Sequence, residues 1–400
     1  WFQLRLLLQF SLPCLRNDQH PLRLQRSDVS YRALCSYVSA PEEHRSYYQT
    51  SQYGTLMSKH GFSSLYIGLE DSGHIIAASL ILVKSAIFNI NVGYSPRGYL
   101  IDFNDYPLLE QFTFLLKEYL ASKRITYLII DPHITHLERD KNGKPLENGQ
   151  NGVNISESLK RMGYEHNGFN LYFENLKPRW NMILKSRAPK EIIINSFDKI
   201  TRTKVRNDVY FARINTEVFL KNSKLLYEHE SAKNAKLNEQ LQRMITDSKA
   251  KAKLLNKKIE SDRLLNSYKN DIVYGTKLYR DRKYIVIACN AVVTYGDEVF
   301  FLIDGINFKF KNFNANHLLK WKVIEHYKDA GFTKFNFNGI TGDFTKKNKY
   351  YGLYEFKKGF NTTVTEYIGE YVLVVNRVKY NAFKNIEPVK NLIISSMKKS

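Results

Sequence analysis

The fold class is decided by residues 108–130, which have the sequence LLEQFTFLLKEYLASKRITYLII. Apolar side chains recur at the spacing of one helical face: Leu109, Phe112, Leu115, Leu116 and Tyr119. Residues 127–130 then form a short apolar run ending at Asp131-Pro132, which predicts a buried strand. A helix of this length that leads into a buried strand indicates an α/β layer rather than an all-β sandwich.

The segments on either side continue this alternation of strands and helices. Residues 65–69 and 75–83 are apolar runs separated by Glu-Asp-Ser-Gly, which predicts a β-hairpin. Further along, the sequence predicts strands, a helix and two more strands at residues 284–303, 316–328, 335–337 and 365–375. The two halves therefore share one order of elements, namely hairpin, helix, strand and loop, which suggests an internal duplication.

The second half is interrupted by a long polar segment without Gly or Pro. Residues 217–270 carry 12 Lys and Arg against 7 Asp and Glu. A heptad-like seam, formed by Ile245, Ser248, Ala252, Leu255 and Ile259, predicts a helical hairpin that turns near residues 246–248. Each arm of about 25 residues would be roughly 37 Å long. A basic hairpin of this length is suited to a polyanion, and a solvated coiled coil is the alternative.

Composition limits the classes of function. The 400 residues are 43% hydrophobic and 14% aromatic, which suffices for two or three domains with cores of their own. A net charge of +21 indicates a polyanionic partner such as nucleic acid, anionic lipid or a phosphorylated substrate, with colloidal solubility as the plainer alternative. Three scattered cysteines favour a reducing cytoplasm, and no apolar run reaches the ~18 residues of a membrane span.

Common catalytic signatures are missing from the sequence. It contains no P-loop, no G-x-G-x-x-G after a strand and no G-x-S-x-G, which argues against the enzyme classes built on them. The pair His133-x-x-His136 has the spacing of two metal ligands but no firm third ligand. We therefore expect no metal site here and interpret the pair as part of a surface loop.

Three segments have the residue types of a binding or catalytic site. In YSPRGYLIDF, residues 94–103, a constrained turn is predicted to project Arg97, and Asp102 is suited to bind an amine. In TRTKVRN, residues 201–207, Arg202 and Arg206 share a helical face and could hold a diphosphate. A surface ion pair and a solvated helix are the respective alternatives.

The third segment is the densest. Residues 337–344 are FNGITGDF and residues 350–360 are YYGLYEFKKGF. Glycines, aromatic residues and paired lysines suit a pocket with stacking faces, backbone donors and a cation better than they suit a core.

These segments, together with YYQTSQYGTLMSKHGF at 47–62, YLIIDP at 127–132 and EYIGEYVLVVN at 366–376, resemble the FemABX family of peptidoglycan-branching aminoacyltransferases. The resemblance covers roughly residues 30–385. It implies two tandem N-acetyltransferase-like (GNAT-type) α/β domains with a helical coiled-coil arm inserted in the second. The implied divisions are an unassigned segment 1–26, a first domain 27–178, a second domain 179–216 with 274–385, an arm 217–273 and a tail 386–400.

The resemblance also implies an activity and partners. The donor would be aminoacyl-tRNA, used as a co-substrate without any cofactor. The acceptor would be the stem-peptide amine of lipid II or UDP-MurNAc-pentapeptide, and the product an interpeptide bridge extended by Gly, Ala or Ser. The expected location is the cytoplasm, with peripheral contact at the anionic inner face of the cell membrane left open, as is the oligomeric state.

Site residues follow from the resemblance position by position. Phe356 and Lys357 match the pair proposed to stabilise the oxyanion, and Asp102 matches an acidic acceptor-site position. Lys59, and either Arg202 or Arg206, match residues that hold the diphosphate of the precursor. With the residues of the motifs above, the candidate substrate-binding set is Lys59, Arg97, Arg202, Arg206, Tyr210 and Tyr351. Where relatives have a Gly before Gly-Ile this chain has Asn338, and Asn best tolerates a left-handed backbone.

The transfer of an ester-bound amino acid to an amine requires a deprotonated amine and a stabilised oxyanion. No Ser or Cys nucleophile with a base is evident, which favours direct attack. The hypothesis is that Lys357 and nearby backbone N–H groups stabilise the oxyanion, while Asp102 or Asp343 orients the amine. The alternatives are a non-catalytic nucleic-acid or membrane-surface binding protein, and an aminoacyltransferase with a different amine acceptor.

Overall fold

The computed structural model describes residues 6–7, 23–26, 40–72, 74–86, 90–199, 201, 213–244 and 249–384. The chain divides into two compact units. The first comprises Trp1–Arg202, Val292–Leu302 and Tyr327–Ser400, and the second Thr203–Ala291 and Ile303–His326. Among the described residues, no helix combines the length and the apolar character that crossing a bilayer requires.

The described strands, in chain order, are β1 (Leu6–Leu7), β2 (Arg23–Arg26), β3 (Ser63–Asp71), β4 (His74–Ala86), β5 (Ile90–Ser95), β6 (Ile125–Ile130), β7 (Thr135–Arg139), β8 (Tyr164–His166), β9 (Trp180–Lys185), β10 (Arg213–Asn215), β11 (Tyr284–Val286), β12 (Ala288–Tyr295), β13 (Glu298–Ile306), β14 (Lys334–Ile340), β15 (Thr363–Tyr367) and β16 (Tyr371–Val374). The described helices are α1 (Ser51–Ser58), α2 (Tyr106–Ser122), α3 (Val153–Arg161), α4 (Lys190–Ser196), α5 (Thr216–Gln242), α6 (Lys249–Asp281), α7 (Ala315–Asp329), α8 (Tyr351–Lys358) and α9 (Arg377–Phe383). The fold is therefore of the mixed α/β class, as predicted.

The first sheet has the strand order β1-β2-β3-β4-β5-β6-β16-β8. Its hairpin β3–β4 forms where the Glu-Asp-Ser-Gly turn predicted it. Strand β5 runs parallel to β6, and α2 is the crossover between them. The apolar face predicted for α2 is buried against β6 and its neighbours, with Leu109, Phe112 and Leu116 fully enclosed in the core. Asp105 caps the start of this helix by accepting a hydrogen bond from the Leu108 N–H at 3.1 Å.

The second sheet has the order β12-β13-β14-β9-β15-β7. It repeats one feature of the first sheet, because β13 runs parallel to β14 and the chain between them passes through a helix, α7. The order of hairpin, helix and strand that the sequence predicts in both halves is thus present in both sheets. The assignment of either sheet to the GNAT type stays a prediction.

Strand pairing crosses the division predicted between residues 178 and 179. Strand β7 comes from the first predicted domain but pairs with β15 at the edge of the second sheet. Conversely, β16 comes from the second predicted domain but lies between β6 and β8 in the first sheet. The single strand predicted over 365–375 is therefore wrong, because β15 and β16 belong to different sheets. Gly369, with φ +92°, lies in the connection where the chain leaves one sheet for the other.

The second unit contains the long helices α5 and α6, as the predicted hairpin requires. They run antiparallel, since a Cβ at Gly275, late in α6, would contact Phe219, early in α5. The predicted apolar seam is wrong in its described part, because Leu255 is 49% and Ile259 42% exposed. Apolar contact between the helices involves Phe219 and Leu278, in one buried cluster. Farther along the hairpin a polar contact joins them, with Asn234 donating to Ser261 Oγ at 3.0 Å and to Asp262 Oδ1 at 2.9 Å. The turn predicted at 246–248 lies outside the described residues.

Candidate active site

Arg97 lies in a tight turn directly after β5. The turn is held by Gln49, which donates to the Pro96 carbonyl at 2.6 Å and to Ser95 Oγ at 3.2 Å. Arg97 itself has φ +52°, a left-handed backbone that an ordinary residue adopts only under constraint. The sequence predicted that this turn projects the guanidinium. That prediction is wrong, because Arg97 is only 4% exposed and points into the protein.

The partners of Arg97 are buried groups rather than Asp102 or solvent. Its backbone N–H donates to Asp131 Oδ1 at 2.7 Å, and its Nη1 lies 3.9 Å from Asp131 Oδ2. Its Nη2 donates to the Pro178 carbonyl at 2.7 Å, and its guanidinium stacks 4.2 Å from the ring centre of Tyr367. Tyr94 donates its hydroxyl to the same Asp131 at 3.1 Å. The alternative of a surface ion pair is thus also wrong.

Burial shifts several pKa values around this ion pair. Desolvation raises the pKa of Asp131, and the adjacent Arg97 opposes that shift. Desolvation, with the Asp131 charge as a further cause, raises the pKa of Glu370 to about 7. Glu370 accepts hydrogen bonds from the backbone of Leu176 and from the side chain of Asn167. Desolvation lowers the pKa of Lys177 to about 8, and its Nζ lies 4.4 Å above the Tyr48 ring.

Tyr367 connects this network to His133. The two nitrogens of His133 lie 2.9 Å from the Tyr367 hydroxyl and 3.0 Å from the Arg45 carbonyl. A neutral imidazole satisfies both contacts, accepting from the phenol and donating to the carbonyl. Burial accordingly lowers the pKa of His133 to about 3. The surface-loop interpretation of His133 is therefore wrong: the residue lies in the same network as Arg97.

A cavity of about 160 Å³ opens beside His133 and Tyr367. One wall is formed by the second sheet and the β12–β13 turn, through Ile183, Glu298 and Thr365. A neighbouring cavity of about 170 Å³ shares four wall residues with it: Glu43, His133, Thr135 and Gln150. Asn104, which lines the second cavity, donates its backbone N–H to Asp102 Oδ1 at 2.9 Å. The acceptor-site candidate Asp102 therefore lies next to this pair of cavities.

Lys357 and Phe356 lie on the short helix α8. The Lys357 ammonium donates to the carbonyls of Gly339 at 2.7 Å and Asn338 at 3.1 Å, and the side chain is 4% exposed. Phe356 packs edge-on against Phe360 at 5.5 Å. Asn338 has φ +64°, which confirms the left-handed backbone expected where relatives have Gly. Lys357 is thus a fixed cation held at a bulge of β14.

The remaining described candidates lie at separate places. Asp343 accepts from the Tyr172 hydroxyl and the Thr345 N–H, each at 3.0 Å, and the Thr345 hydrogen bonds lower its pKa. Lys59 is an exposed residue at the C-terminal cap of α1. Tyr351 begins α8 and is half-buried. Arg202, Arg206 and Tyr210 lie outside the described residues, so their roles stay predictions.

The second sheet separates two groups of candidates. On β14, Phe337 packs against Phe360 next to α8, at 5.0 Å. Alternate residues of a strand point to opposite faces, so Lys334 and Asn336 point away from α8 and toward the cavity. Helix α8 with Phe356 therefore covers one face of the sheet, and the His133 cavity lies at the other.

Six residues around Arg97 and the cavity were not among the predicted site residues: Asp131, His133, Lys177, Glu298, Tyr367 and Glu370. Four of these carried a signal, since Asp131 ends the predicted strand YLII, His133 belongs to the His-x-x-His pair, and Tyr367 and Glu370 lie in the EYIGE block. Lys177 and Glu298 belong to no such motif, and only the folded chain brings them close to the others. Buried ionisable groups with displaced pKa values are typical of enzyme active sites.

A likeness to a solved structure supports the fold described above. The crystal structure of FemX aligns with a TM-score of 0.61 at 18% identity, covering 87% of this chain and 96% of that one. At this identity the likeness defines the fold, a mixed α/β architecture shared along nearly the whole chain. 

Sequence comparisons give the family. The FemAB family model matches residues 33–209 and 206–387. Aminoacyltransferase FemB of Staphylococcus epidermidis is 23% identical, with 91% of this chain and 98% of the relative covered. Aminoacyltransferase FemA of Staphylococcus aureus is 23% identical, with coverage of 89% and 96%. The chain belongs to the FemAB family and is an aminoacyltransferase.

Proposed function

We propose that this enzyme transfers an amino acid from aminoacyl-tRNA to the stem-peptide amine of a peptidoglycan precursor, either lipid II or UDP-MurNAc-pentapeptide. The family match along two segments that together span residues 33–387 carries this proposal. The net charge of +21 supports it, because both the tRNA and the precursor pyrophosphate are polyanions. The donor amino acid would be Gly, Ala or Ser, and no cofactor takes part.

The chemistry is an ester-to-amide exchange without a covalent enzyme intermediate. The acceptor nitrogen attacks the ester carbonyl and loses a proton, the C–O bond breaks, and the ribose hydroxyl of the tRNA leaves with a proton. Lys357 and neighbouring backbone N–H groups stabilise the oxyanion, and Asp102 or Asp343 orients the amine. Lys59 and one of the two arginines in segment 201–207 hold the precursor diphosphate. The buried Arg97 acts as a positioning residue through Asp131 and Tyr367.

Incubation of the purified chain with a mixture of charged tRNAs and each labelled precursor tests the proposal. The expected product is the precursor with one added residue, identified by mass spectrometry. A product on a protein N-terminus or a small amine would instead support the alternative with a different acceptor. Transfer to no acceptor, with tRNA binding intact, would overturn the proposal in favour of the non-catalytic alternative.

The role of tRNA has a separate test in the salt dependence of binding. A protein that neutralises six or more phosphates loses roughly a thousandfold in affinity between 50 and 200 mM salt. We expect a steep dependence of this kind for tRNA, measured by filter binding. An affinity that is the same at both salt concentrations would remove tRNA from the explanation of the basic charge.

A further inference from the structure

The second sheet presents polar side chains to the cavity of about 160 Å³ described above. On β15, Thr365 and Tyr367 point to this cavity. Val364, which precedes them, and Glu366, which lies between them, point to the other face of the sheet. Glu298, from the start of β13, lines the same wall and accepts a hydrogen bond from Asn336 at 3.0 Å. Sheet faces that pack into a core are normally apolar, so a polar face at a cavity indicates a ligand.

The hydroxyl of Thr365 is the most specific indication of a bound group in this cavity. Its side chain is 3% exposed, yet its hydroxyl has no hydrogen-bond partner within the part of the chain that the structure describes. A buried hydroxyl without a partner costs about 1–3 kcal/mol, so a bound water or ligand that supplies the partner is favoured. Because Thr365 lines the cavity wall, that partner would be a polar group bound in the cavity.

The charges around the cavity favour a cation. Its basic residues are engaged: Lys185 pairs with Glu138 at 2.7 Å, Lys334 with Asp297 at 3.1 Å, and Arg45 Nε donates to the Ala40 carbonyl at 2.9 Å. Across the described residues, neither Glu42 nor Glu43 on the rim forms an ion pair. Glu298 accepts its hydrogen bond from the neutral Asn336, while the charges of Lys334 and Lys185 act on it from nearby.

Among the lining residues the carboxylates of Glu42, Glu43, Asp297 and Glu298 outnumber the basic side chains of Arg45, Lys185 and Lys334, so the cavity is less basic than the chain as a whole. His133 in the wall is a neutral imidazole and does not oppose a bound cation. Burial raises the pKa of Glu298 to about 7, and a cation beside this carboxyl would favour its ionised form.

We propose that this cavity binds a primary ammonium group, which donates to the carboxylates of Glu298 and Glu43 and to the hydroxyl of Thr365. An ammonium has three N–H donors and no acceptor, so three oxygen partners satisfy it. The adjoining cavity of about 170 Å³, which shares Glu43 and His133, has room for the next part of the same molecule.

The inference rests on the proposed function, because both reactants of that transfer carry a primary amine. One source is the α-ammonium of the donor amino acid, and the other is the amine of the stem peptide. Their chemistry at this site is the same, so the experiment distinguishes them by the probe.

The test measures binding by ligand-observed NMR titration, without tRNA or turnover. The probes are alanine methyl ester, for the donor, and a lysine-containing stem pentapeptide, for the acceptor. Each is also tested in an acetylated form, with the acetyl group on the α-amine of the ester or on the lysine side-chain amine of the peptide. We expect one free-amine probe to bind, acetylation to weaken it at least tenfold, and Glu298→Gln and Thr365→Val to weaken it similarly. Glu147→Gln, in an exposed loop, is the matched control and should leave binding unchanged.

Both cavity variants are conservative, and circular dichroism with thermal unfolding verifies their fold. Binding of neither probe, equal binding of the acetylated forms, or unchanged affinity in both folded variants would overturn the inference. Because no transfer is measured, an amine-binding chain that fails to modify any precursor would count against the proposed function alone. A chain that transfers normally with Glu298→Gln, at an unchanged KM for both substrates, would count against the cavity alone.

Discussion

Replacing Glu370 by Gln tests the charge state of the buried network around Arg97. Burial raises the pKa of this carboxyl from 4.5 to about 7, and the residue is 7% exposed. The folded protein thus retains a proton that the unfolded chain releases near pH 4.5. The contribution of this carboxyl to wild-type stability is largest below that pH and decreases as the pH rises to about 7. The total decrease from this group is about 3 kcal/mol. A Gln is neutral at every pH and keeps an oxygen that can accept from the Leu176 N–H.

The difference in unfolding free energy, variant minus wild type, should therefore increase by about 3 kcal/mol between pH 4.5 and pH 8. Guanidinium unfolding followed by tryptophan fluorescence, at half-unit pH steps, measures this difference. Glu147→Gln, which is exposed, serves as the control for a Glu-to-Gln exchange outside the buried network. A difference for Glu370→Gln that does not change with pH would refute the argument that burial keeps this carboxyl protonated.

Further substitutions test packing at three places. Asn234→Ala removes the polar contact between α5 and α6 to Ser261 and should destabilise the hairpin by about 1–2 kcal/mol, seen as faster amide exchange in both helices. Gly342→Ala places a Cβ 2.3 Å from the Trp180 ring and should lower the unfolding midpoint and alter tryptophan fluorescence. Gly352→Ala, in α8 with open space around it, should raise the free energy of unfolding by roughly 0.5–1 kcal/mol, and a decrease would contradict its described environment.

Much of the fold could be predicted because it depends on local pattern. The helical face of residues 109–119, the Glu-Asp-Ser-Gly turn and the polar segment 217–270 each specify an element through nearby residues, and each element is present. The exchange of β7 and β16 between sheets has no local signal, because pairing partners lie far apart in the chain. The arm seam failed for another reason: α5 and α6 contact each other partly through the polar pair Asn234 and Ser261, and a search for apolar repeats does not find polar pairs.

The candidate site was predictable where chemistry lies within one motif. Phe356 and Lys357 are adjacent in α8, and Asp102 lies next to a cavity, while the roles proposed for these residues stay predictions. The Arg97 network could not be predicted, because Asp131 and Tyr367 approach it only after strands of distant parts of the chain have assembled.

The distance between Lys357 and the cavity decides how Lys357 could act on a carbonyl bound there. Gly339, whose carbonyl accepts from Lys357, is in register with Asn181 on β9, which is in register with Thr365 on β15. Two strand spacings separate the backbones of Gly339 and Thr365 by about 10 Å. A charge acting from about 10 Å contributes about 1.7 kcal/mol at an effective dielectric constant of 20, roughly tenfold to twentyfold in rate.

A cation in direct contact with the oxyanion contributes about 3 kcal/mol, around a hundredfold. The proposed role of Lys357 therefore requires Lys357→Met to lower kcat about a hundredfold in the transfer assay, and Lys357→Arg, which keeps the charge, to recover most of that loss. Lys357→Met also leaves the carbonyls of Asn338 and Gly339 without this donor, so thermal unfolding must verify that the variant is folded at the assay temperature. A loss of only tenfold in a folded variant would mean that Lys357 acts from a distance and that the reacting carbonyl lies on the cavity face of the sheet.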